Sequence, residues 1–423
     1  MARSTQTDRE GEGRGDASSP GPGVFAGVKV VELAQWVFVP VAGALLCDWG
    51  AEVIKVESPS AGDPYRGLVE QGVTTGSETV NYSVELANRG KRSIGLDLKS
   101  AEGRDIFYAL IADADVFLTN FRSTALDRLG LSVETLREIN PRLIYARGHG
   151  FGVRGPDKDV PAYDNTAFWS RGGMAHVLTP ESMEHPLNPR GAFGDRQAAM
   201  NLAFGVSSAL FRRERTGDAS VVDVSLLGSA MWTLGSDMLG ALQGQMPRAR
   251  TSRGEGPNPL GNVFRTKDGR HITLALLQPD RYWPELCSII GREDLLDDDR
   301  LSTMASRAHN RSECLRILDE IFADRTYSDW VARFERSHLP WAPVQSVEEV
   351  LTDPQVVAND YLSAVEFDDG IELTFPNGPV QFDETPPVLR RAPAHGADTE
   401  DVLLGLGFDW DRIIELKLCG AIL

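Results

Sequence analysis

The segment VKVVELAQWVFVPVAGALLCDWGAEVIKVE, residues 28–57, decides the fold because its hydrophobic pattern changes twice. A compact β-rich run, VKVVEL, comes first. It is followed by an apolar stretch in which Pro40 suits a first helical turn and Gly50 suits a helix end. A second β-rich run, AEVIKVE, completes the segment. A strand, a helix and a second strand in this order predict a β-α-β unit.

The same alternation of β-rich and helical runs continues through the first half of the chain. Strands separated by helices predict a parallel sheet with helices on both faces, and therefore an α/β fold. Proteins of this class bind ligands at the carboxyl ends of the strands. The four further predicted strands cover residues 92–98, 115–121, 142–148 and 220–227.

Composition excludes several classes of protein. The length of 423 residues suggests two or three packed units, and an apolar share of 42% is enough to form their cores. A net charge of -18 argues against non-specific binding to nucleic acid or to an anionic membrane. No run of 18 apolar residues occurs, so no membrane span is expected. Four scattered cysteines without a CxxC pair indicate buried thiols in a reducing compartment, and we expect a cytoplasmic protein.

Asp195, in the stretch FGDRQ, precedes a helix predicted from about residue 196 to 215. An aspartate at this place is either a helix N-cap or a carboxylate nucleophile whose charge the helix N-terminus stabilises. Asp164, in PAYDN, is a second carboxylate in the loop-rich middle of the chain. Two carboxylates near one site suggest acid–base or nucleophilic chemistry, although aspartates are also ordinary in turns.

Other polar motifs leave alternatives open. The basic run NRGKRS, residues 88–93, is either a solvated stretch or a phosphate-binding patch. His149, at the end of a predicted strand, is either a base or a loop histidine. The seven histidines lack metal-site spacing, so no metal is predicted. A GxGxxG match begins at Gly150, but Pro156 follows it instead of a helix, so we expect no dinucleotide site.

Three long blocks of the sequence resemble the family III CoA-transferases, the CaiB/BaiF group that includes formyl-CoA transferase and α-methylacyl-CoA racemase. The blocks cover residues 27–66, 88–156 and 193–217, and the segment WAPVQSVEEVLTDPQV adds to them. The resemblance extends from residue 24 to the C-terminus.

The resemblance implies a Rossmann-like large domain built from both chain ends, a smaller α+β domain, and a homodimer whose subunits interlock as rings. Since each ring alone would expose apolar surface, we expect an obligate dimer. The Gly/Pro/Arg-rich stretch 246–262 marks a boundary or an active-site loop. We expect a disordered tail (1–23), the N-terminal part of the large domain (24–227), a linker helix and loop (228–262), the small domain (263–345) and a C-terminal part that returns to the large domain (346–423).

The resemblance also implies a reaction, the transfer of CoA from an acyl-CoA to a free carboxylic acid. Asp195 would form an aspartyl anhydride and then an aspartyl-CoA thioester. The helix N-terminus would keep Asp195 ionised and would donate N–H groups to the oxyanions. CoA is a substrate here, and no permanently bound cofactor is expected. The CoA contacts carried over from the family are Leu96, Asp97, Leu98, Lys99, Asn120, Phe121, Arg122, Arg128, Tyr163 and Asp164.

The sequence departs from the formyl-CoA transferase pattern at the N-terminal block. Val37 and Phe38 replace a Gln-Ala pair, and Ser58 replaces an arginine, so formyl or oxalyl specificity is not expected. The loops 151–190 and 246–262 are expected to line the acyl pocket. Their aromatic residues, Phe168 and Trp169, suggest an acyl group larger or more apolar than formyl.

Two alternatives to transferase activity are carried forward. A racemase needs two acid–base groups that flank the α-carbon. Tyr163 stands where racemases have a histidine, and a phenol is a poor base at neutral pH. The transferase is therefore favoured over the racemase. A non-catalytic CoA-binding homologue, in which Asp195 only caps its helix, is the second alternative.

Overall fold

The computed structural model describes residues 23–69, 76, 80–245, 253–367 and 370–423, so nearly all of the predicted tail lies outside the described residues. Six parallel strands form the central sheet, in the order β3-β2-β1-β4-β5-β6. All six strands predicted from the sequence are confirmed. They are β1 (Lys29–Leu33), β2 (Glu52–Glu57), β3 (Arg92–Gly95), β4 (Val116–Thr119), β5 (Ile144–His149) and β6 (Val221–Ser225).

The described residues contain seventeen α-helices, and none of these is both long and apolar enough to cross a membrane. A π-helical segment covers Asn165–Arg171. The α-helices are α1 (Phe38–Asp48), α2 (Tyr82–Asn88), α3 (Ala101–Ala112), α4 (Ser123–Leu129), α5 (Val133–Ile139), α6 (Met174–Leu178), α7 (Phe193–Thr216), α8 (Leu226–Thr233), α9 (Gly235–Leu242), α10 (Pro279–Ile290), α11 (Met304–His309), α12 (Arg311–Ala323), α13 (Tyr327–Phe334), α14 (Val347–Leu351), α15 (Pro354–Ala358), α16 (Thr399–Gly405) and α17 (Trp410–Leu418).

The central sheet has an apolar core on each face, because successive side chains of a strand point to opposite sides. Val30 of β1 enters the core formed with α1 and α7, whereas Val31 enters the core formed with α3 and α5. The C-terminal helices α16 and α17 contribute Leu403 and Ile413 to this second core. The chain end thus packs on the same sheet as the N-terminal strands.

A separate apolar core lies in the second half of the chain, around the buried side chains of Trp283 and Trp330. A hairpin turns at Asp268-Gly269, with Gly269 at φ 82. It belongs to a three-stranded antiparallel sheet that α10 to α13 accompany. The remaining strands are β7 (Val263–Arg265), β8 (His271–Leu274), β9 (Trp341–Pro343), β10 (Leu362–Glu366) and β11 (Glu372–Pro376).

Two cations of the basic run NRGKRS, Arg89 and Lys91, are buried in ion pairs, which favours neither a solvated stretch nor a phosphate patch. The Arg89 guanidinium donates two hydrogen bonds to the Asp48 carboxylate, at 2.9 and 2.6 Å, and both side chains are buried. The Lys91 ammonium lies 2.8 Å from a carboxylate oxygen of the equally buried Glu32. These cations neutralise buried acids, which is the usual condition for burying charge.

The cysteines correct one further expectation. All four thiols are free, and those of Cys47, Cys287 and Cys314 are buried as expected. Cys419 is exposed. Cys419 is the C-cap residue of α17. The residues that α17 packs into the apolar core include Ile413 but not Cys419.

Candidate active site

Asp195 lies inside the first turn of α7, which begins at Phe193, three residues earlier than the sequence predicted. The N-cap position belongs to Ala192, which has a left-handed φ of 75 and provides no side-chain cap. The interpretation of Asp195 as a helix cap is therefore wrong. Its carboxylate is one of the groups that line a cleft at the carboxyl edge of the sheet.

The cap of α7 comes instead from Asp164. Its Oδ1 atom accepts a hydrogen bond from the Gly194 N–H at 3.0 Å. Gly194 permits the approach, because a Cβ atom there would lie 2.4 Å from Asp164 Oδ1. One of the helix N–H groups expected to serve Asp195 and the oxyanions, that of Gly194, thus donates to Asp164 instead.

Both carboxyl groups at this helix end have a raised pKa. Burial raises the pKa of Asp195, the charge of Asp164 raises it further, and Arg196 lowers it, with the result at about 7. Burial also raises the pKa of Asp164, although the helix N–H groups oppose this. The expectation that the helix end keeps Asp195 ionised is corrected, since burial and like charge outweigh the helix dipole.

The inner cleft, which contains Asp195, has a volume of about 470 Å³. It opens where the loops after β1 and β4 diverge, the point at which the strand order of the sheet reverses. The described residues that line it are Gln35, Trp36, Phe38, Asn120, Phe121, Arg122, Ala125, Gly148, His149, Gly150, Lys158, Val160, Pro161, Ala162, Tyr163, Asp195 and Leu226.

An outer cleft of about 380 Å³ adjoins the inner one. The two share Gln35 and Phe121 and so form one groove along the edge of the sheet. The outer cleft is lined by the segment 96–99 and by the loop after β2, which includes Ser58 and Gly62. The groove leads from the exposed side chain of Lys99 to Asp195.

The groove brings together most of the predicted CoA contacts. Leu96, Asp97, Leu98 and Lys99 line the outer cleft, and Asn120, Phe121, Arg122 and Tyr163 line the inner one. Asn120 also donates to the Gln35 carbonyl at 2.7 Å, which holds the loops after β1 and β4 together. Arg128 is exposed on α4, and Asp164 is buried beneath the cleft, so neither lies among the lining residues.

Gln35 and Trp36 of the inner cleft were not predicted from the sequence, and Lys158 was not singled out within the predicted pocket loop 151–190. Trp36 has a left-handed φ of 71 and meets the Tyr163 ring edge-on at 5.4 Å. The position of Gln35 and Trp36 directly after β1 was an available signal, since ligands bind at the carboxyl ends of such strands.

The aromatic residues expected in the acyl pocket lie elsewhere. Phe168 is buried in the core between the sheet and α7, where it touches Gly194. Trp169 is also buried, with its indole N–H donating to the Leu187 carbonyl, and neither residue lines the cleft. Residues 246–252 of the second predicted pocket loop lie outside the described residues. Among the described residues, no group of three or more His, Cys, Asp or Glu side chains is placed to hold a metal ion.

Comparisons with known proteins agree with this geometry. The profile of CoA-transferase family III matches residues 25–399. The (R)-2-hydroxy-4-methylpentanoate CoA-transferase of Clostridioides difficile is 36% identical, over 93% of this chain and 98% of that enzyme. The cinnamoyl-CoA:phenyllactate CoA-transferase of Clostridium sporogenes is 37% identical, over 93% of this chain and 96% of that enzyme.

The fold also matches a solved structure. A CaiB/BaiF family protein from Brucella suis superimposes with a TM-score of 0.78 and 30% identity, over 91% of this chain and all of that one. The parallel sheet, the groove at its carboxyl edge and the extent of these matches lead to one conclusion: the chain belongs to CoA-transferase family III and is an enzyme of that type.

Proposed function

We propose that this enzyme transfers CoA between carboxylic acids through covalent intermediates on Asp195. The Asp195 carboxylate attacks the thioester carbonyl, the C–S bond breaks, and CoA leaves as the thiolate. The thiolate then attacks the Asp195 carbonyl of the mixed anhydride, which releases the donor acid and leaves an aspartyl-CoA thioester. The observation that carries this proposal is the position of Asp195, on a helix end inside the groove.

The second half of the proposed reaction repeats these steps in reverse. The acceptor carboxylate attacks the aspartyl thioester and forms a new anhydride, again with release of CoA thiolate. The thiolate attacks the acyl carbon of the acceptor, the new acyl-CoA forms, and the Asp195 carboxylate is restored. A carboxylate nucleophile suits this exchange because an anhydride keeps both acyl groups activated.

We place the nucleotide end of CoA in the outer cleft and its thioester in the inner cleft. Leu96 to Lys99 line the outer cleft, and the cations Arg122 and Lys158 line the inner one. In a chain with a net charge of -18, cations along this groove favour a polyanionic ligand there. For Arg128 and Asp164, the proposal that they contact CoA rests on family resemblance alone.

We propose 2-hydroxy acids as the substrate class. Two relatives at 36% and 37% identity act, by name, on 2-hydroxy-4-methylpentanoate and on phenyllactate. The inner cleft suits such acids, because Trp36, Phe38 and Leu226 offer apolar surface to the hydrocarbon part.

We also propose the interlocked homodimer. Trp232 of α8 and Leu242 of α9 are 79% and 80% exposed, and Phe204 of α7 is 74% exposed. Exposed apolar surface of this kind marks protein interfaces. Size-exclusion chromatography with light scattering should give twice the monomer mass of 46.3 kDa. A monomer at micromolar concentration would exclude the dimer.

The experiment that tests the proposed reaction compares the wild type with the Asp195→Asn variant. Purified enzyme is given an acyl-CoA and a panel of free 2-hydroxy acids in deuterated buffer. We expect new acyl-CoA products from the wild type, none from the variant, and no deuterium at the α-carbon. Deuterium exchange without CoA transfer would support the racemase alternative. Undiminished transfer by the variant would remove Asp195 from the mechanism.

A further inference from the structure

His149 lies at the end of β5, where it lines the inner cleft together with Asp195. The neighbouring strand β6 places Asp223 beside it, because β5 and β6 pair in parallel with Arg147 opposite Asp223. The His149 Nε2 atom is 3.3 Å from Asp223 Oδ1. Only 7% of the His149 side chain is exposed, so this contact is sheltered from solvent.

Asp223 is held as a carboxylate. Arg147 donates to both of its oxygens, from Nε at 2.7 Å and from Nη2 at 3.1 Å. Burial raises the pKa of Asp223, but hydrogen bonds from His149 and Arg147 and the charge of Arg147 outweigh it and hold the pKa at about 2. An ionised carboxylate can only accept hydrogen bonds, so the proton between the two side chains belongs to His149 Nε2.

This arrangement fixes the tautomer of the neutral imidazole. With the proton on Nε2, the Nδ1 atom carries a lone pair and acts as an acceptor. Within the part of the chain that the structure describes, Nδ1 has no hydrogen-bond partner. In the neutral form of His149, the inner cleft therefore contains a hydrogen-bond acceptor in addition to its carboxylate and its cations.

We propose that His149 Nδ1 accepts a hydrogen bond from the 2-hydroxyl group of the acyl substrate, which makes His149 a specificity-determining residue. This inference rests on the proposed function, since it takes Asp195 as the group that carries the acid. An imidazole lone pair repels a carboxylate but attracts a hydroxyl. His149 therefore orients a 2-hydroxy acid with its hydroxyl toward β5 and leaves the carboxyl for Asp195.

The same acceptor chemistry also fits an amide N–H of the CoA pantetheine arm, so the experiment must separate the two donors. The matched substrates are 2-hydroxy-4-methylpentanoate and 4-methylpentanoate, which differ only in the hydroxyl. The measured quantity is the ratio of their kcat/KM values as CoA acceptors. The variants are His149→Leu, which removes the acceptor, and His149→Asn, whose side-chain oxygen can occupy the Nδ1 position.

We expect the wild type to prefer the hydroxy acid and His149→Leu to reduce that preference by about tenfold to a hundredfold. His149→Asn should recover part of it. Asp223→Asn should also reduce it, because a neutral amide no longer fixes the proton on Nε2. An unchanged ratio in His149→Leu would overturn the proposal.

Two further readouts separate other roles of His149. Weaker binding of CoA itself in His149→Leu, with the acid preference intact, would assign the acceptor to pantetheine and overturn the proposal. Deuterium incorporation at the α-carbon that disappears in His149→Leu would make His149 a base and would also overturn it. If the wild type transfers CoA to neither acid but remains active with acids of another class, the proposed substrate class fails. If it transfers CoA to no carboxylic acid, the proposed reaction itself fails.

Discussion

Asp164 Oδ1 accepts a hydrogen bond from the Gly194 N–H at 3.0 Å, and this contact brings a second carboxylate to the turn that carries Asp195. Asp164 lies thirty residues before Gly194 in the sequence, yet its side chain caps the N-terminus of α7. Asp164 therefore caps the N-terminus of α7, and Asp195 lines the cleft.

The first prediction concerns the pH dependence of transfer. The pKa of Asp195 is raised to about 7, so this nucleophile is mostly protonated and inactive at pH 6. We expect kcat/KM for acyl-CoA to rise between pH 6 and 8 and to level off above. A series of initial rates in buffers of constant ionic strength measures this, and a midpoint below pH 5 would contradict it.

Asp164→Asn gives the second prediction. The asparagine oxygen can still accept from Gly194, but the negative charge that raises the pKa of Asp195 is removed. The midpoint of the rate profile should therefore move to lower pH. Asp218→Asn, which removes an exposed charge just after α7, serves as the control and should leave the midpoint in place. Equal profiles for the wild type and Asp164→Asn would show that Asp164 does not act on Asp195.

The third prediction concerns stability. A carboxyl group whose pKa rises on folding, here from 3.8 to about 7, binds its proton more tightly in the folded state. Its contribution to the free energy of unfolding is fully present below about pH 4 and is lost as the pH rises through 7. At pH 8, Asp195→Asn should be more stable than the wild type by ~1–2 kcal/mol, a value reduced for partial exposure. Urea unfolding at pH 4.5 and 8 measures the difference, which should shrink at the lower pH.

Gly194→Ala tests the geometry of the helix end. The new Cβ atom would lie 2.2 Å from Phe168 Cγ and 2.4 Å from Asp164 Oδ1, so the core or the cap must move. We expect a loss of ~2–3 kcal/mol in the free energy of unfolding, together with reduced transfer. Gly191→Ala is the matched control, since a Cβ atom there has no described neighbour within 4 Å. Similar behaviour of the two variants would contradict the described packing.

The Arg89→Met variant tests whether the Arg89 cation stabilises the fold or binds the ligand. Loss of Arg89 leaves the buried Asp48 carboxylate without its partner, which should cost ~3 kcal/mol of stability. The KM for acyl-CoA should stay unchanged at a temperature where the variant is folded. Arg92→Met, which removes a partly exposed cation from the same run, should cost less than ~1 kcal/mol. A tenfold rise in KM for Arg89→Met would restore the phosphate-patch interpretation.

The sheet could be predicted from the sequence because each strand is a short apolar run between turn and helix signals. The place of Asp195 at a helix start was readable for the same reason, since glycine precedes it and an amphipathic run follows. Most of the CoA contacts that the family resemblance implied line the groove.

Contacts between distant parts of the chain could not be predicted in this way. Arg89 and Asp48 are 41 residues apart, and His149 and Asp223 are 74 residues apart. Local patterns record neither pairing. The sequence therefore left the basic run as either a solvated stretch or a phosphate-binding patch, and His149 as either a base or a loop histidine. The direction of the pKa shift of Asp195 was missed because burial and the charge of Asp164 depend on the assembled fold.

Direct trapping of the aspartyl intermediate tests the central claim. The enzyme is incubated with acyl-CoA, treated with hydroxylamine, digested and analysed by peptide mass spectrometry. We expect a hydroxamate on Asp195 that depends on acyl-CoA, and no such product at Asp164. An unmodified Asp195 in an enzyme that is turning over, or modification at another carboxylate, would contradict the account.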